Sequence, residues 1–404
     1  MLIRFEVSNF RSILEPVELS MVAVDKERPE ARPMANLGES LLTVAAIYGP
    51  NASGKTNVLA ALVWLRDAVD NSLRAWDDTI PIEPFAFAGA DNRSSEFVLE
   101  CVIDGVRFEY VVELDRHSVH YEALFHYPEK KRRRIFEREE DELKLQRGLG
   151  NLSGTRDLLT PRTLALSIAR RFDDPLVSGF ADELRAIDDR GVSSSKIRLP
   201  TVGGRRTFVT DDWFHESAEH DRRQALALLR MADLGIDDVM FERVDGESGK
   251  RRTMLLHRTS GEPVALDLGA ESDGTLAWYR LMGPLLGTLE SGAVLILDEL
   301  DASLHPTLST QLIRLFLDPA TNPRGAQLIF TSHDTSLLNH LNRDEVWLTE
   351  KMSDGSTRLG ALAEFAGERV RRSQNLEKAY LHGRFGALPD VDRADVLRTL
   401  GLIG

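Results

Sequence analysis

Apolar and polar residues alternate along much of the first 150 residues, a pattern typical of half-buried β-strands. The alternation is clear in residues 2–10 and 17–24, and again in residues 95–114. Within the later stretch, Asp104 and Gly105 separate two alternating runs, and an Asp-Gly pair in that position is a hairpin signal. The sequence therefore predicts strands near the amino terminus and an antiparallel sheet over residues 95–147.

Other stretches are apolar without alternation, which indicates strands buried on both faces. Such runs occupy residues 41–48, 294–297 and 326–330. Helical periodicity follows the first run at residues 59–69 and the second at residues 308–318. It also dominates residues 155–235, where a predicted loop at residues 189–207 interrupts it. Parallel-type strands alternating with helices predict an α/β fold, and the long helical stretch predicts a lobe inserted into it.

We divide the chain into four predicted segments. Residues 1–150 form an amino-terminal lobe with an antiparallel β subdomain, and residues 151–237 form the inserted helical lobe. Residues 238–365 return to strands and complete the α/β core, and residues 366–404 form a basic, helical extension. A chain of 404 residues is long enough for one main core and a sizeable subdomain.

Composition narrows the class of protein. With 42% hydrophobic and 28% charged residues, the chain is globular, and its net charge of -14 argues against wrapping nucleic acid over the whole surface. The single Cys101 excludes an internal disulfide framework and suits a reducing compartment. Charges interrupt the first apolar run and no stretch is long enough to span a membrane, so a cytoplasmic protein is expected.

A glycine-containing loop joins the apolar run at residues 41–48 to the helical pattern after it. Residues 49–56 match G-x-x-x-x-G-K-[ST] between a strand and a helix, the context in which this motif binds phosphate. Backbone N–H groups and the helix N-terminus would surround the phosphate chain. The predicted binding residues are Gly49, Pro50, Asn51, Ala52, Ser53, Gly54, Lys55, Thr56 and Asn57. An ordinary strand-to-helix turn is the alternative, and it leaves the agreement of all four fixed positions unexplained.

The second chemical stretch follows the apolar run Val294 to Leu297, which delivers Asp298 and Glu299 to its carboxyl end. Ligands bind at that end of α/β sheets. We predict that Lys55 holds the β and γ phosphates of ATP, and that Thr56 and Asp298 hold Mg²⁺. Glu299 is predicted to polarise the attacking water. A pair of solvated acids at a strand end is the alternative.

One strand and one helix later, the apolar run at residues 326–330 ends in Thr331, Ser332, His333 and Asp334. His333 is predicted to contact the γ phosphate and sense hydrolysis. A purely structural histidine is the alternative, and the position after the acidic pair favours the functional role.

The segments GPNASGKT, LILDELDASLHP and IFTSHD, in this order, resemble the ATP-binding-cassette ATPases of the RecF, SMC and OLD type. The resemblance implies an ABC-ATPase-like P-loop NTPase core with a mixed central sheet. It assigns Walker A to residues 49–56, Walker B to residues 294–299, the D-loop with Asp301 to residues 300–303, and the switch histidine to His333. A signature motif at Ser272 and Gly274 would meet ATP bound by a second subunit. Its sequence departs from Leu-Ser-Gly-Gly-Gln, and an ordinary helix N-cap at Ser272 or Asp273 is the alternative.

The chain is more closely similar to bacterial stand-alone AAA/ABC-like ATPases associated with abortive infection and phage defence. The segments FEVSNFRSI, IPIEPFAF, ESDGT and NLEKAYLHGRFGALP carry this resemblance, which spans almost the whole chain. It implies a head-to-tail homodimer with two composite ATP sites. It also implies a co-encoded toxin or nuclease partner of TOPRIM or RloB-like type.

Three features leave the prediction open. No glutamine lies between Lys55 and Leu145, so Gln146 is the only candidate for the Mg²⁺-sensing glutamine loop, with an exposed strand residue as the favoured alternative. Acidic residues at 390, 392 and 395 have chelating spacing, yet too few residues follow His333 for a nuclease domain. Basic runs at residues 129–134 and 368–386 are solvated faces or, in the second case, a surface for a partner or for DNA.

Together these observations predict a Mg²⁺-dependent ATPase whose ATP-linked dimer acts as the sensor or regulator of an antiphage system. A DNA-repair or chromosome-maintenance ATPase of the RecF kind, acting directly on DNA, is the alternative. An ATP-locked scaffold with very slow hydrolysis is a third possibility, and the presence of Lys55, Asp298, Glu299 and His333 weighs against it.

Overall fold

A computed structural model describes residues 1–87, 89, 92–192, 210, 214, 219–243, 251–302, 304–365 and 376–382. The strands are β1 (Leu2–Ser8), β2 (Val17–Ser20), β3 (Arg32–Met34), β4 (Glu39–Leu41), β5 (Val44–Tyr48), β6 (Ser95–Ile103), β7 (Val106–Leu114), β8 (Val119–His126), β9 (Arg133–Glu139), β10 (Glu142–Leu145), β11 (Asp188–Arg190), β12 (Ile236–Arg243), β13 (Arg251–His257), β14 (Val264–Asp267), β15 (Val294–Leu297), β16 (Gln327–Thr331), β17 (Val346–Lys351) and β18 (Thr357–Ala361). The helices are α1 (Lys55–Ala75), α2 (Thr155–Leu158), α3 (Ala165–Ala169), α4 (Pro175–Arg185), α5 (Glu219–Ala232), α6 (Asp273–Ser291), α7 (Pro306–Leu317), α8 (Leu362–Phe365) and α9 (Leu376–Leu381). Single 3₁₀ segments occupy Pro128–Lys130, Gly150–Gly154, Leu268–Ala270 and Thr335–His340.

A six-stranded mixed sheet forms the centre of the fold, in the order β11-β15-β16-β5-β17-β18. Its pairs are parallel except that of β17 with β18. Every residue of β5, β15 and β16 is buried. Alternate residues of these strands enter different cores, with Ala45 and Ile47 in one and Val44 and Ala46 in the other. Burial on both faces explains why these strands are continuous apolar runs.

A seven-stranded antiparallel sheet lies beside this centre, in the order β10-β9-β8-β7-β6-β1-β2. It confirms the antiparallel sheet predicted over residues 95–147, including the hairpin whose Asp104 and Gly105 both have positive φ. Helix α1 shares a core with this sheet. The rings of Trp64 on α1 and Phe97 on β6 stack with centroids 4.7 Å apart. This packing fixes α1, and therefore the loop before it, relative to β1.

The inserted region contains more than helices. Helices α3 and α4 of the segment 151–237 pack against α1, and the division of the chain into lobes remains a prediction. However, β11 joins the central sheet beside β15, where the sequence predicts a loop beginning at residue 189. That detail of the prediction is wrong for residues 189 and 190, because pairing with β15 supplies backbone hydrogen bonds that three polar residues do not signal locally. Most of the predicted loop, residues 193–207, lies outside the described residues.

The carboxyl-terminal extension is described only at residues 376–382. Tyr380, predicted on a partner or DNA surface, is buried instead, and its ring meets that of Tyr48 edge-on at 6.2 Å. Helix α9 is held further by Asn339, whose side chain donates to Glu377 at 2.8 Å. Phe385 and the acids at 390, 392 and 395 lie outside the described residues. Among the described helices, none is both long and apolar enough to cross a membrane.

Candidate nucleotide-binding site

The predicted phosphate loop runs from the end of β5 to the start of α1. Gly54 is the N-cap of α1 and has a φ of 101°, in the region that favours glycine. A Cβ on Gly49 would lie 2.3 Å from Thr349 Oγ1, and one on Gly54 would lie 2.0 Å from Thr357 Oγ1. Both glycines are therefore required by close approach of the β17–β18 hairpin, and the shape of the loop fits a phosphate cradle.

Lys55 lies at the first position of α1, with its side chain folded back over the loop. Its Nζ donates to the carbonyl oxygens of Gly49 at 3.0 Å and Pro50 at 3.1 Å. Burial lowers the pKa of the Lys55 ammonium, and nearby carboxylates, Asp298 first among them, oppose this shift. The two carbonyl oxygens that Lys55 contacts are neutral, so charged phosphate oxygens would replace them as hydrogen-bond acceptors. The predicted role of Lys55 requires this exchange.

Two threonines meet the first acid of the Walker B stretch. Thr56 Oγ1 donates to Asp298 at 2.9 Å, and Thr331 Oγ1 donates to the same carboxylate at 2.6 Å. Thr56 and Asp298 are 242 residues apart in the chain and are joined because β5, β16 and β15 are neighbours. Hydroxyl and carboxylate oxygens are the donors that Mg²⁺ prefers, so this set fits the predicted cation. Sequence reasoning assigned no role to Thr331.

Glu299 has an unusual backbone at the end of β15. Its φ is 53°, which is rare outside glycine and is often found at functional sites. Its N–H donates to Thr331 Oγ1 at 2.7 Å, and its side chain is exposed. Thr331 therefore orients both neighbouring acids, holding the Asp298 carboxylate and the Glu299 backbone.

The predicted switch and D-loop residues are also adjacent. The backbone N–H of His333 donates to Asp301 Oδ1 at 3.0 Å, and the His333 side chain is exposed. Asp301 thus links the loop after β15 to the loop after β16. Ser303, the last predicted D-loop residue, lies outside the described residues.

The predicted signature forms the exposed N-terminus of α6. Ser272 is its N-cap, and the Ser272 hydroxyl accepts from Thr275 N at 3.1 Å. Gly274 lies in the first turn and is half-buried. This geometry is that of an ordinary helix cap, the alternative stated above, and it also leaves a helix N-terminus open to an anion from another chain. The signature role remains a prediction.

Gln146 follows β10, the edge strand at the opposite end of the seven-stranded sheet from β2. Its backbone N–H donates to Ile135, and its side chain is half-buried, not exposed as the favoured alternative stated. Its assignment as the Mg²⁺-sensing glutamine remains a prediction.

A chain of hydroxyl groups supports the phosphate loop from behind, and the sequence did not reveal it. Ser53 Oγ contacts Thr349 Oγ1 at 2.6 Å, and Thr357 Oγ1 donates to the carbonyl oxygen of Ser53 at 2.9 Å. Thr357 also contacts Ser12, to which Asn57 donates at 2.6 Å. Asn57, predicted as a phosphate contact, therefore anchors the loop to the amino-terminal segment. In the sequence, only the two loop glycines, Gly49 and Gly54, indicated that another segment packs closely against this loop.

Replacing Thr349 with Val is expected to lower the free energy of unfolding by about 1–3 kcal/mol, because it removes the buried hydroxyl that bonds Ser53 Oγ at 2.6 Å and the carbonyl oxygen of Tyr48 at 3.2 Å. Urea unfolding monitored by tryptophan fluorescence measures this change. Thr307→Val, at an exposed helical position, is the matched control and should change stability by less than about 0.5 kcal/mol. Equal effects of the two substitutions would contradict a supporting role for the Thr349 hydroxyl.

Comparison with known proteins places this geometry in a family. The model of the family described as "AAA domain, putative AbiEii toxin, Type IV TA system" matches residues 44–339, which include every predicted nucleotide motif. Its abortive-infection description confirms the resemblance inferred from the motifs. No curated protein matches the sequence.

Solved structures similar to this chain include two head domains of SMC proteins. One is the SMC head domain from Thermotoga maritima, at 14% identity and a TM-score of 0.41, covering 89% of this chain and 98% of that chain. The other is the Smc head domain with an extended coiled coil bound to the C-terminal domain of ScpA, derived from Pyrococcus furiosus. It has 13% identity and a TM-score of 0.42, covering 94% of this chain and 98% of that one.

The predicted α/β fold with a mixed central sheet and an antiparallel sheet is confirmed, and the family match to an AAA domain agrees with the predicted P-loop NTPase core. The family match covers well over half of the 404 residues. This chain belongs to the family of AAA domains described as putative AbiEii toxin of type IV toxin–antitoxin systems.

Proposed function

We propose that this protein hydrolyses ATP with Mg²⁺ and that the resulting switch regulates a partner in an antiphage, abortive-infection type system. The observation that carries the ATPase proposal is the convergence of Thr56 and Thr331 on Asp298, directly before Glu299. Lys55 lies over the same loop. These residues are the parts that P-loop ATPases require, and the two halves of the site, Thr56 and Asp298, are 242 residues apart in the chain.

Each residue has a distinct task in the proposed reaction. Thr56 and Asp298 would hold Mg²⁺, which would supply positive charge to the phosphates. Lys55 adds a second positive charge to the same oxygens. Glu299 accepts a proton from the attacking water. At the same time the water oxygen bonds to the γ phosphorus, and the bond between the γ phosphorus and the oxygen that bridges it to the β phosphate breaks, releasing ADP. In this proposal His333, in the loop after β16, contacts the γ phosphate and senses its hydrolysis.

The exposed N-terminus of α6 supports a composite site in a head-to-tail dimer. A helix N-terminus carries partial positive charge and unpaired N–H groups, which favour a phosphate. Ser272 and Gly274 lie at this end, and Ser272 is exposed. In the proposed dimer they contact the γ phosphate of ATP held by the second copy, so ATP joins the two chains and hydrolysis separates them.

The regulatory role rests on the family description, which names a putative toxin of a toxin–antitoxin system. In this proposal, the dimer signals its nucleotide state to a co-encoded toxin or nuclease effector of TOPRIM or RloB-like type. The basic run at residues 129–134 gives little support to direct DNA binding. Its arginines form ion pairs with nearby acids, Arg134 with Glu137 on β9 and Arg133 with Glu129 at the start of the run itself.

The first experiment measures ATP hydrolysis and solution mass together, with and without Mg²⁺, ATP and duplex DNA. We expect Mg²⁺-dependent hydrolysis, a shift toward dimer with ATP, and little effect of DNA. Lys55→Ala is the control and should abolish both effects, because it removes the ammonium from the phosphate loop. Strong stimulation by DNA would favour the RecF-like alternative, and an unchanged mass with ATP would contradict the composite site.

A further inference from the structure

A second group of metal-ligand side chains lies outside the nucleotide site, where α5, β13 and α6 meet. Asp233 directly follows α5, His257 ends β13, and Glu271 immediately precedes the N-cap of α6. One donor atom from each side chain lies within 4.8 Å of the other two. The three residues belong to three different elements and match no known metal-binding motif, so the sequence did not predict this group.

The distances fit a shared ion. His257 Nε2 lies 2.6 Å from Glu271 Oε1, whereas His257 Nδ1 lies 3.8 Å from Asp233 Oδ2, too far for a hydrogen bond. Ligands of one tetrahedral zinc ion stand about 3.4 Å apart, given metal–ligand bonds of about 2.1 Å. The two observed separations are measured from different ring nitrogens, and the shorter one is a hydrogen bond. Because one donor atom from each residue lies within 4.8 Å of the other two, rotation of the His257 ring can direct a single nitrogen toward an ion held by both carboxylates.

The charges of the two carboxylates and the burial of Glu271 also favour a bound cation. The Glu271 side chain is only 6% exposed, and a carboxylate so buried needs a cation beside it. Both carboxylates face one imidazole, which supplies at most one positive charge. A divalent ion with a neutral imidazole balances the two acids fully. A histidine nitrogen among the ligands favours zinc and related transition metals over magnesium or calcium.

We infer that Asp233, His257 and Glu271 form a site for a divalent transition metal of the zinc class. The ion connects the end of α5, the three-stranded β12-β13-β14 sheet and the start of α6. Helices α5 and α6 are already linked there, since Trp278 Nε1 donates to the carbonyl oxygen of Leu228 at 2.7 Å. Binding would stiffen the segment that presents Ser272. Any effect on the ATP-linked dimer rests on the proposed function, but the site itself does not.

The test titrates the full-length, chelator-treated protein with ZnCl₂ by calorimetry, without nucleotide and with excess MgCl₂ to occupy the Walker site. We expect one zinc ion per chain in the wild type and loss of this binding in His257→Ala. Glu271→Gln, which keeps the size of the side chain, should weaken affinity by at least about tenfold. Co²⁺ should give visible absorption bands in the wild type that His257→Ala lacks.

His120→Ala is the matched control, because His120 also contacts two carboxylates, Asp115 at 3.1 Å and Glu140 at 2.9 Å. Among the described residues, the donor atoms of Asp233, His257 and Glu271 all lie within 4.8 Å of one another, and those of His120, Asp115 and Glu140 do not. His120→Ala should therefore bind zinc as the wild type does. Equal binding by wild type and His257→Ala, or no binding by the wild type, would overturn the site. Circular dichroism confirms that each variant is folded, and an inactive ATPase that still binds zinc would refute only the proposed function.

Discussion

Replacing Glu299 with Gln is expected to slow ATP hydrolysis by about 10²–10⁴-fold, the usual contribution of a general base. The amide keeps the shape of the side chain but cannot accept the proton of the attacking water. ATP should still bind, because Lys55 and Thr56 are unchanged and the phosphate loop is held by β17, β18 and the Ser12 segment. The strained backbone of Glu299 should also persist, since its N–H bond to Thr331 does not involve the side chain.

Single-turnover hydrolysis, ATP affinity and solution mass should be measured on the same preparation. Slow hydrolysis with retained binding should trap the dimer, so the variant is expected to accumulate at twice the chain mass in ATP. Glu290→Gln, an exposed substitution at the far end of α6, is the control and should behave as the wild type. Unchanged turnover in Glu299→Gln would remove Glu299 from catalysis. Loss of ATP binding would instead assign it a structural role.

Replacing Gly54 with Ala should lower the free energy of unfolding by about 2–5 kcal/mol, by adding the cost of a left-handed backbone to that of overpacking. The new Cβ would lie 2.0 Å from Thr357 Oγ1 and 2.8 Å from Ser12 Oγ. Both hydroxyls are hydrogen-bonded, so the loop must move. Because this movement displaces the N–H groups at the start of α1, ATP binding should be lost as well.

Gly38→Ala separates the two causes. Gly38 also has positive φ, at 74°, but nothing lies within 4 Å of the position of its Cβ. Its substitution should cost only the backbone term of about 1–2 kcal/mol and leave ATP binding unchanged. Urea unfolding and calorimetric ATP titration of both variants measure these effects. Equal losses of stability with intact ATP binding would show that crowding by Thr357 is not what makes Gly54 necessary.

The Walker residues illustrate what a sequence reveals directly. Gly49, Gly54, Lys55 and Thr56 are consecutive or nearly so, and their glycines reflect local backbone demands. Asp298 and Glu299 follow an apolar run whose lack of alternation indicates burial on both faces, and the structure shows that burial. Asp298 and Glu299 can be placed at the end of a buried strand from the apolar run before them alone. No knowledge of the neighbouring strands is needed for that prediction.

Other residues could not be assigned in this way. Thr331 was placed at a strand end, but its contacts with Asp298 and Glu299 arise because β15 and β16 are adjacent and parallel. Thr349 and Thr357 support the phosphate loop from a hairpin roughly 300 residues downstream. The apolar content of β11 is too low to predict a strand, and only its pairing with β15 makes it one.

The sequence alone thus determined the nucleotide motifs, the alternation of buried strands with helices and the family resemblance, because each depends on residues close together in the chain. The tertiary structure decided which strand ends meet, which hydroxyls hold the loop, and that Asp233, His257 and Glu271 converge. Those features depend on sheet order and on packing between distant segments. Hydrogen bonds and ion pairs require side chains within about 3–4 Å, and local periodicity carries no information on such distances between remote residues.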